Sequence, residues 1–309
     1  MNASDVEHDG IAVRSVARSF GPVEAVRDMT FDAHPGKITG LIGPNGSGKT
    51  TLFLMLASLL APDSGTIRVT GIDPIADPAA ARARLGWMPD ALGAWDSLTV
   101  VETLVVAGRL YGRDRADART RADELINEVG LDAVATSPAR VLSRGQKQLL
   151  GLARALVHEP RALLLDEPAS GLDPLARLRL RALLRRRADD GVAILVSSHV
   201  LSELEEMVDD SVFVSGGRTV TAPESVREWR IRVSGTPETG AHVWQDVVTA
   251  ALPGVPVRVD RRDLFASFHD DAAASTALRA LIAADVPVFE FAPAQGNLER
   301  AFLAMGEQS

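Results

Sequence analysis

At 309 residues with 46% hydrophobic side chains, the chain is long enough for two domains and can bury a core in each. A net charge of -8 and an isoelectric point near 5.3 argue against general nucleic-acid binding, which needs a positive footprint. Zero cysteines exclude disulfides and thiolate metal sites, the six scattered histidines show no ligand spacing, and no apolar run approaches the length that spans a bilayer. Residues 1–10 are acidic and polar rather than a secretory signal, so a soluble protein that stays inside the cell is expected.

Residues 11–20 alternate loosely and read as a first strand; Gly21 and Pro22 then turn the chain into a second strand over 24–34, expected to pair toward the strand that follows. Phe20 stands just before that turn. It reads either as a stacking platform for an adenine ring or as ordinary core packing, and local sequence leans to packing. The strand-like run 37–42 ends in Gly43, Pro44, Asn45, Gly46, Ser47, Gly48, Lys49 and Thr50, a match to G-x-x-x-x-G-K-[ST], and an apolar helix is predicted over 51–60. Strand, glycine loop and helix in that order make a phosphate cradle, because the glycines let backbone N–H groups point inward and the helix turns its positive end to the anion. Lys49 is placed to bridge the outer phosphates and Thr50 to offer its hydroxyl to Mg²⁺.

A strand over 65–70 follows, Pro74 and Pro78 bracket a break, and from residue 79 to about 140 the pattern is helical, with helices at 79–84, 100–111 and 115–129. Between the first two lie a short strand and a loop that carries the isolated carboxylate of Asp90 and then Trp95; a loop tryptophan is either half-buried packing or a docking contact. Leu142, Ser143, Arg144, Gly145 and Gln146 lead into a helix over 147–158. Ser143 and Gly145 at a helix start form a second anion-binding end, although alone this is an ordinary cap. The apolar strand 161–168 ends in Asp166 and Glu167, which puts acids at the carboxyl edge of a parallel sheet. Asp166 is placed to hold a Mg²⁺ shell and Glu167 to orient and deprotonate a water. In the helix over 175–187, Arg177, Arg181 and Arg185 form a stripe that reads as a solvated face, since acids outnumber bases overall.

The ordered set Phe20, residues 43–50, Asp90, 142–146, 163–167, 170–173 and 197–199 resembles the ABC-family ATPases, and the resemblance covers about residues 10–221. It implies an α/β P-loop fold of ABC type over residues 1–222, with an inserted helical subdomain at about 72–150. It also implies that two copies pair head to tail around two ATP molecules. One copy then supplies Phe20, Gly43, Asn45, Gly46, Ser47, Gly48, Lys49, Thr50 and Thr51 to the nucleotide, and the other supplies Ser143, Gly145, Gln146 and the seam residue Asp173. Thr50, Asp90 and Asp166 are the implied Mg²⁺ residues. Glu167 is the implied general base, with Lys49 on the phosphates and His199 bonding the γ-phosphate and positioning the water. Two departures stand out: Asp90 replaces the usual Gln, and Arg144 replaces the second glycine of the signature, at a position expected to face outward.

Beyond Gly216 and Gly217 the patterns run strand 229–233, helix 241–252, strands 255–260 and 263–268, helix 271–284 and strand 286–291. That is βαββαβ, a ferredoxin-like α+β domain over 223–309, closed by a helix at 297–305. Such a tail resembles the C-terminal extension of ATPases that serve ABC-2-type exporters; dimerisation is the role read for it, with a ligand sensor as the alternative. The whole chain therefore reads as an ATP-hydrolysing subunit at the cytoplasmic face of the membrane. Its expected partners are a second copy of itself and a separate ABC-2-type permease, docked near Trp95, and not nucleic acid. A soluble ABC ATPase acting on ribosomes or DNA, or an importer subunit, are the alternatives.

Overall fold

In the computed structural model, residues 9–90, 93, 95–198, 200–220, 227–234 and 242–294 are described, and the chain divides into two units, Met1–Thr221 and Ala222–Ser309. The first unit opens with an antiparallel hairpin of β1 (Ile11–Phe20) and β2 (Val23–Ala33), turned at Gly21, whose φ of 57° is one a side chain would resist. Then come β3 (Ile38–Ile42), α1 (Lys49–Leu56), β4 (Ser64–Val69), α2 (Pro78–Arg84) and β5 (Leu85–Met88). Every residue of β3 is buried. Helix α1 buries Leu52, Phe53, Met55 and Leu56 in a core shared with β1, β2, β3 and β4. It stops earlier than the apolar run suggested: Ser58 takes the left-handed conformation at φ 59° while Leu59 N bonds Leu54 O and Ser58 N bonds Met55 O, a Schellman ending.

Helices α3 (Val100–Leu110), α4 (Arg115–Val129) and α5 (Arg144–Leu156) follow. Thr99 and Glu102 form a capping box at the start of α3, and Gly108 lets α3 close on Ala118 of α4. The short strand β5, which the sequence groups with the inserted helices, instead forms the edge of the main sheet in parallel register with β6 (Ala162–Asp166). The unit is completed by α6 (Pro174–Asp189), β7 (Ala193–Ser197), α7 (Leu201–Glu205), β8 (Asp210–Ser215) and β9 (Arg218–Val220).

Among the described residues the sheet has nine strands in the order β4-β1-β2-β9-β8-β3-β7-β6-β5. The second strand was expected to lead toward the loop strand, and the structure corrects this: β9 and β8 stand between them. The reason is that β3, buried on both faces, takes parallel partners β7 and β8, while β2 already has β1 as its hairpin partner and meets β9 on its other side.

The arginine stripe of α6 is also not a free solvated face. Arg177 pairs with Glu203 at 2.6 Å, Arg181 with Glu206, and Arg185 with Asp209 at 2.8 Å while donating to Gly36 O at 3.0 Å. Acids spaced every three residues after β7 meet bases spaced every four on the helix, so the two segments are laced together and the positive stripe is neutralised.

The second unit contains β10 (Arg227–Val233), α8 (His242–Ala251), β11 (Val257–Asp260), β12 (Asp263–Phe268), α9 (Asp271–Ala283) and β13 (Val288–Pro293). Its sheet is antiparallel in the order β11-β12-β10-β13, as a ferredoxin-like βαββαβ chain requires, over a core that includes Ile231, Val248, Leu264, Phe268 and Leu281. Cross-strand pairs such as Arg232 with Asp263 and with Glu290 cover the other face. The closing helix expected at 297–305 lies outside the described residues.

Two residues past the end of α5, His158 stacks on Tyr111 with ring centroids 3.8 Å apart, and its Nε2 lies 3.1 Å from Leu85 O. Burial pushes the imidazole pKa down to about 4; the Leu85 carbonyl opposes this and Arg113 adds to it. Between 6.5 and about 4 the unfolded chain binds a proton that the folded ring refuses, so this residue's contribution to stability is present above 6.5 and is lost as pH falls through that window. His158→Gln, which keeps a donor for Leu85 O, is expected to flatten the fall in stability over the same window, read from urea midpoints across it.

Candidate nucleotide site

The loop of residues 43–50 leaves β3 and enters α1, and two of its glycines are dictated by backbone crowding. A Cβ at Gly43 would come within 2.3 Å of Val214 O, and one at Gly48 within 2.4 Å of Ala25 O, where φ is also 97°. Gly46 faces open space and is required only for its φ of 82°. Asn45 and Gly46 are exposed, whereas Ser47 is buried with a hydroxyl that has no hydrogen-bond partner. Helix α1 has Gly48 as its N-cap and no side-chain cap, so the first-turn N–H groups, near Lys49, Thr50 and Thr51, are left for another acceptor. Lys49 Nζ curls back to donate to Gly43 O at 2.7 Å and Pro44 O at 3.0 Å. Burial lowers its pKa while Glu167 and Asp166 pull it up, which places both carboxylates within electrostatic reach of this ammonium.

The acids arrive from the neighbouring strands. Since β3, β7, β6 and β5 are parallel and adjacent, their carboxyl ends lie in a row at one sheet edge: the loop after β3, Ser197 and Ser198 at β7, Asp166 and Glu167 at β6, and Asp90 just beyond β5. Asp166 is 8% exposed and accepts a hydrogen bond from Ser197 Oγ. Burial raises its pKa, the Ser197 bond lowers it, the nearby Asp90 carboxylate raises it and Lys49 lowers it. Glu167 holds a left-handed φ of 54°, a conformation that costs a non-glycine residue on the order of 1–3 kcal/mol. Its backbone is pinned by neighbours: Glu167 N donates to Ser197 O at 3.2 Å, and Glu167 O accepts from Ser170 N at 3.1 Å and from Gln148 Nε2 at 2.6 Å. His199 lies outside the described residues.

The signature segment sits elsewhere. Ser143 is the N-cap of α5, which begins three residues sooner than its apolar pattern indicated, and a reciprocal box links Ser143 Oγ to Gln146 N and Gln146 Oε1 to Ser143 N. Asp173 caps α6 by accepting from Ala176 N at 2.8 Å. Among the described residues, no hydrogen bond or ion pair joins Ser143, Gly145, Gln146 or Asp173 to the loop of residues 43–50, and Ser143 and Asp173 are exposed. Arg144 is exposed, as expected of a position that faces outward, and from there donates from Nη2 to Ser170 Oγ at 2.8 Å. Phe20 does not pack into the core either: it is 47% exposed, with the Arg18 guanidinium 5.0 Å from its ring centre. Sequence reasoning missed Gln148. The available signal was an amide among the apolar positions of α5.

A glycine loop between a buried strand and a helix, with Asp-Glu at the end of a nearby parallel strand, defines a P-loop nucleoside triphosphatase. The comparisons with known proteins narrow this. The ABC transporter family pattern matches residues 26–170. The chain is 34% identical over 199 residues to the ABC transporter ATP-binding protein NatA of Bacillus subtilis, covering 64% of this chain and 81% of that one. It is 32% identical over 298 residues to the daunorubicin resistance ATP-binding protein DrrA3 of Streptomyces coeruleorubidus, covering 95% and 94%. It is also 40% identical over 210 residues to the Nod factor export ATP-binding protein I of Paraburkholderia xenovorans, covering 66% and 67%. A solved ATP-binding subunit of an ABC transporter superposes with a TM-score of 0.64 at 29% identity, over 68% of this chain and 88% of that one. The chain belongs to the ABC transporter family and is an ATP-hydrolysing nucleotide-binding subunit of a transporter.

A buried carboxylate whose pKa is raised mainly by burial makes the folded state less stable wherever it is ionised. The folded protein takes up this proton at a higher pH than the unfolded chain, so stability gains as pH falls through the raised pKa. Asp166→Asn, whose Oδ1 still accepts from Ser197, is expected to raise the melting temperature of the nucleotide-free protein by a few degrees at neutral pH. The gain should shrink on acidification, as calorimetry at a series of pH values would record.

Proposed function

We propose that two copies of this chain close head to tail around two ATP molecules and drive export through a separate ABC-2-type permease at the cytoplasmic face of the membrane. The observation that carries this reading is the division of the expected nucleotide residues into two groups. The loop, Asp166 and Glu167 gather at one sheet edge, whereas Ser143 and Asp173 cap exposed helix starts that, among the described residues, make no bond to the loop. Half of the γ-phosphate's surroundings is then missing until a second copy brings it. A distantly similar ATP-binding cassette, 22% identical with a TM-score of 0.63, was solved as a dimer with ADP and Pi. In this reading ATP holds the pair closed, and its hydrolysis is the event that lets the pair reopen.

In the chemical step a water attacks the γ-phosphorus, Glu167 takes its proton, and the bond to the β-phosphate oxygen breaks to leave ADP and inorganic phosphate. Lys49 sits between the outer phosphates. Ser143 and Gly145 of the other copy donate to the γ-phosphate, and Phe20, free of the core, is available to the adenine. His199 bonds the γ-phosphate in this scheme. The oxygen donors Asp166, Asp90 and Thr50 suit Mg²⁺, which takes one or two carboxylates and fills its other positions with phosphate and water. Among the described residues no group of three or more His, Cys, Asp or Glu gathers to offer a fuller protein cage. When bound, the ion neutralises charge on the transferred phosphoryl group. Asp90 in place of Gln adds negative charge beside Asp166.

The permease reading rests on an apolar groove of about 290 Å³ between the sheet edge and the helices, lined by Leu59, Trp87, Trp95, Leu110 and Tyr111. Trp95 is 41% and Leu110 75% exposed, and Arg154 ties the loop beside Trp95 to α5 by donating to Gly93 O at 2.7 Å. No helix among the described residues is long and apolar enough to cross a membrane. The export and drug-resistance names of two relatives favour an exporter, and the match to the second of these runs through the C-terminal unit, which is read here as a dimerisation module. Pairing of Arg177, Arg181 and Arg185 with acids favours reading this stripe as structural rather than as a nucleic-acid contact.

Glu167→Gln is expected to lower ATP turnover on the order of 10² to 10⁴-fold while ATP binding persists and the dimer accumulates, read by phosphate release and size exclusion; turnover at the wild-type rate would remove Glu167 from the role of base. Trp95→Ala is expected to abolish copurification with the permease while leaving ATP-driven dimerisation of the isolated subunit unchanged. Full retention of the permease would place its dock elsewhere.

A further inference from the structure

Three contacts join the start of α5 to the loop of residues 167–173 within one copy. Gln148, 3% exposed, spends its amide N–H on Glu167 O at 2.6 Å. Arg144 reaches Ser170 Oγ at 2.8 Å. Gly145 lies so close to the loop that a Cβ there would stand 2.9 Å from Gly171 O. The loop they grip begins with the left-handed Glu167 and ends at Asp173, the cap of α6. A carbonyl in a strained peptide keeps its orientation only while its surroundings over-determine it, and here a buried side chain supplies one of those constraints. Arg144 makes its bond with a charged donor, the stronger kind, at the position where the resembling signature has a glycine unable to make any.

We propose that Arg144 and Gln148 are positioning residues: they clamp the loop carrying Glu167 to the start of α5, so that the segment a copy presents to its partner's nucleotide and the carboxylate serving its own nucleotide move as one body. The inference rests on the reading of Glu167 as base and of Ser143 as a contact across the dimer. Its consequence is cooperativity. Engagement of Ser143 and Gly145 at one site pulls, through Arg144 and Gln148, on the Glu167 peptide of the other site, so the two sites of a homodimer fire together.

The test is steady-state ATP hydrolysis by the full chain carrying Arg144→Ala, Ser170→Ala, the double substitution, Arg144→Lys and Gln148→Glu, the last being nearly isosteric but without the N–H donor. Binding of a fluorescent ATP analogue and thermal midpoints are measured alongside. Loss of either side of the Arg144 bond is expected to lower kcat roughly three- to tenfold and bring the Hill coefficient toward one, with nucleotide affinity unchanged. The double variant should be no worse than either single one, Arg144→Lys should recover part of the loss, and Gln148→Glu should reduce kcat at unchanged affinity. Losses that multiply in the double variant, a wild-type Hill coefficient in all of them, or a fall in kcat that follows the thermal midpoint would overturn the clamp. Glu167→Gln, run in parallel, separates the two ideas: turnover at the wild-type rate in that variant defeats the reading of Glu167, whereas a strongly slowed Glu167→Gln with wild-type Arg144→Ala and Gln148→Glu defeats the clamp alone.

Discussion

Everything at the candidate site depends on the parallel register of β3, β7 and β6, three five-residue strands with every side chain buried. Strands buried on both faces and paired in one direction must all release their chains at the same edge. That edge receives a glycine loop from one strand, Ser197 and Ser198 from the next and Asp-Glu from the third. Groups more than a hundred residues apart in the chain thereby come within electrostatic reach, as the opposing pulls of burial and of Glu167 and Asp166 on Lys49 record. The register also explains the glycines. Val214 O and Ala25 O belong to strands β8 and β2, and each presses on the loop where a side chain would stand.

The edge is costly to build, and the surrounding structure offsets the cost by direct bonds. Asp166 is a carboxylate in a buried place, held by the Ser197 hydroxyl, and Glu167 is a non-glycine residue in left-handed conformation, held by Ser197 O, Ser170 N and Gln148. Strain and buried charge concentrate at the two residues that also carry the most chemistry, and such placements persist only when packing over-determines them. The arginine ladder of α6 contributes in the same direction. By pairing with Glu203, Glu206 and Asp209 it fastens the helix that Asp173 caps to the segment that follows β7. Each exposed pair contributes little alone; three in register, with Arg185 also bonding Gly36 O, act as a network.

The ferredoxin-like unit has a different economy. Its inner sheet face is apolar and its outer face is tiled by cross-strand ion pairs, so it carries its own core and needs no neighbour to bury it. Its strand order is legible in the residue pattern, because alternation with period two and turns at Gly254 and between β11 and β12 leave few ways to arrange βαββαβ.

Most of the elements of the first unit are legible in the same way, from apolar runs, glycines and prolines. Their neighbours are not: nothing local in residues 218–220 announces that this short strand lies between β2 and β8, since a pairing partner is chosen by which edge remains open once the hairpin and the parallel core have formed. The ends of helices shifted for local reasons the pattern did not weigh, a left-handed Ser58 at one end and a capping box at Ser143 at another. By itself the sequence determined the kind of chemistry, because a phosphate loop, an Asp-Glu strand end and a signature helix start are written in residue types and short spacings. Only the tertiary structure decided that Arg144 grips Ser170, that Gln148 holds the peptide of Glu167, that Phe20 stays outside the core and that Arg177, Arg181 and Arg185 of α6 are paired with acids. These are contacts between segments brought together by burial, and no short-range pattern specifies them.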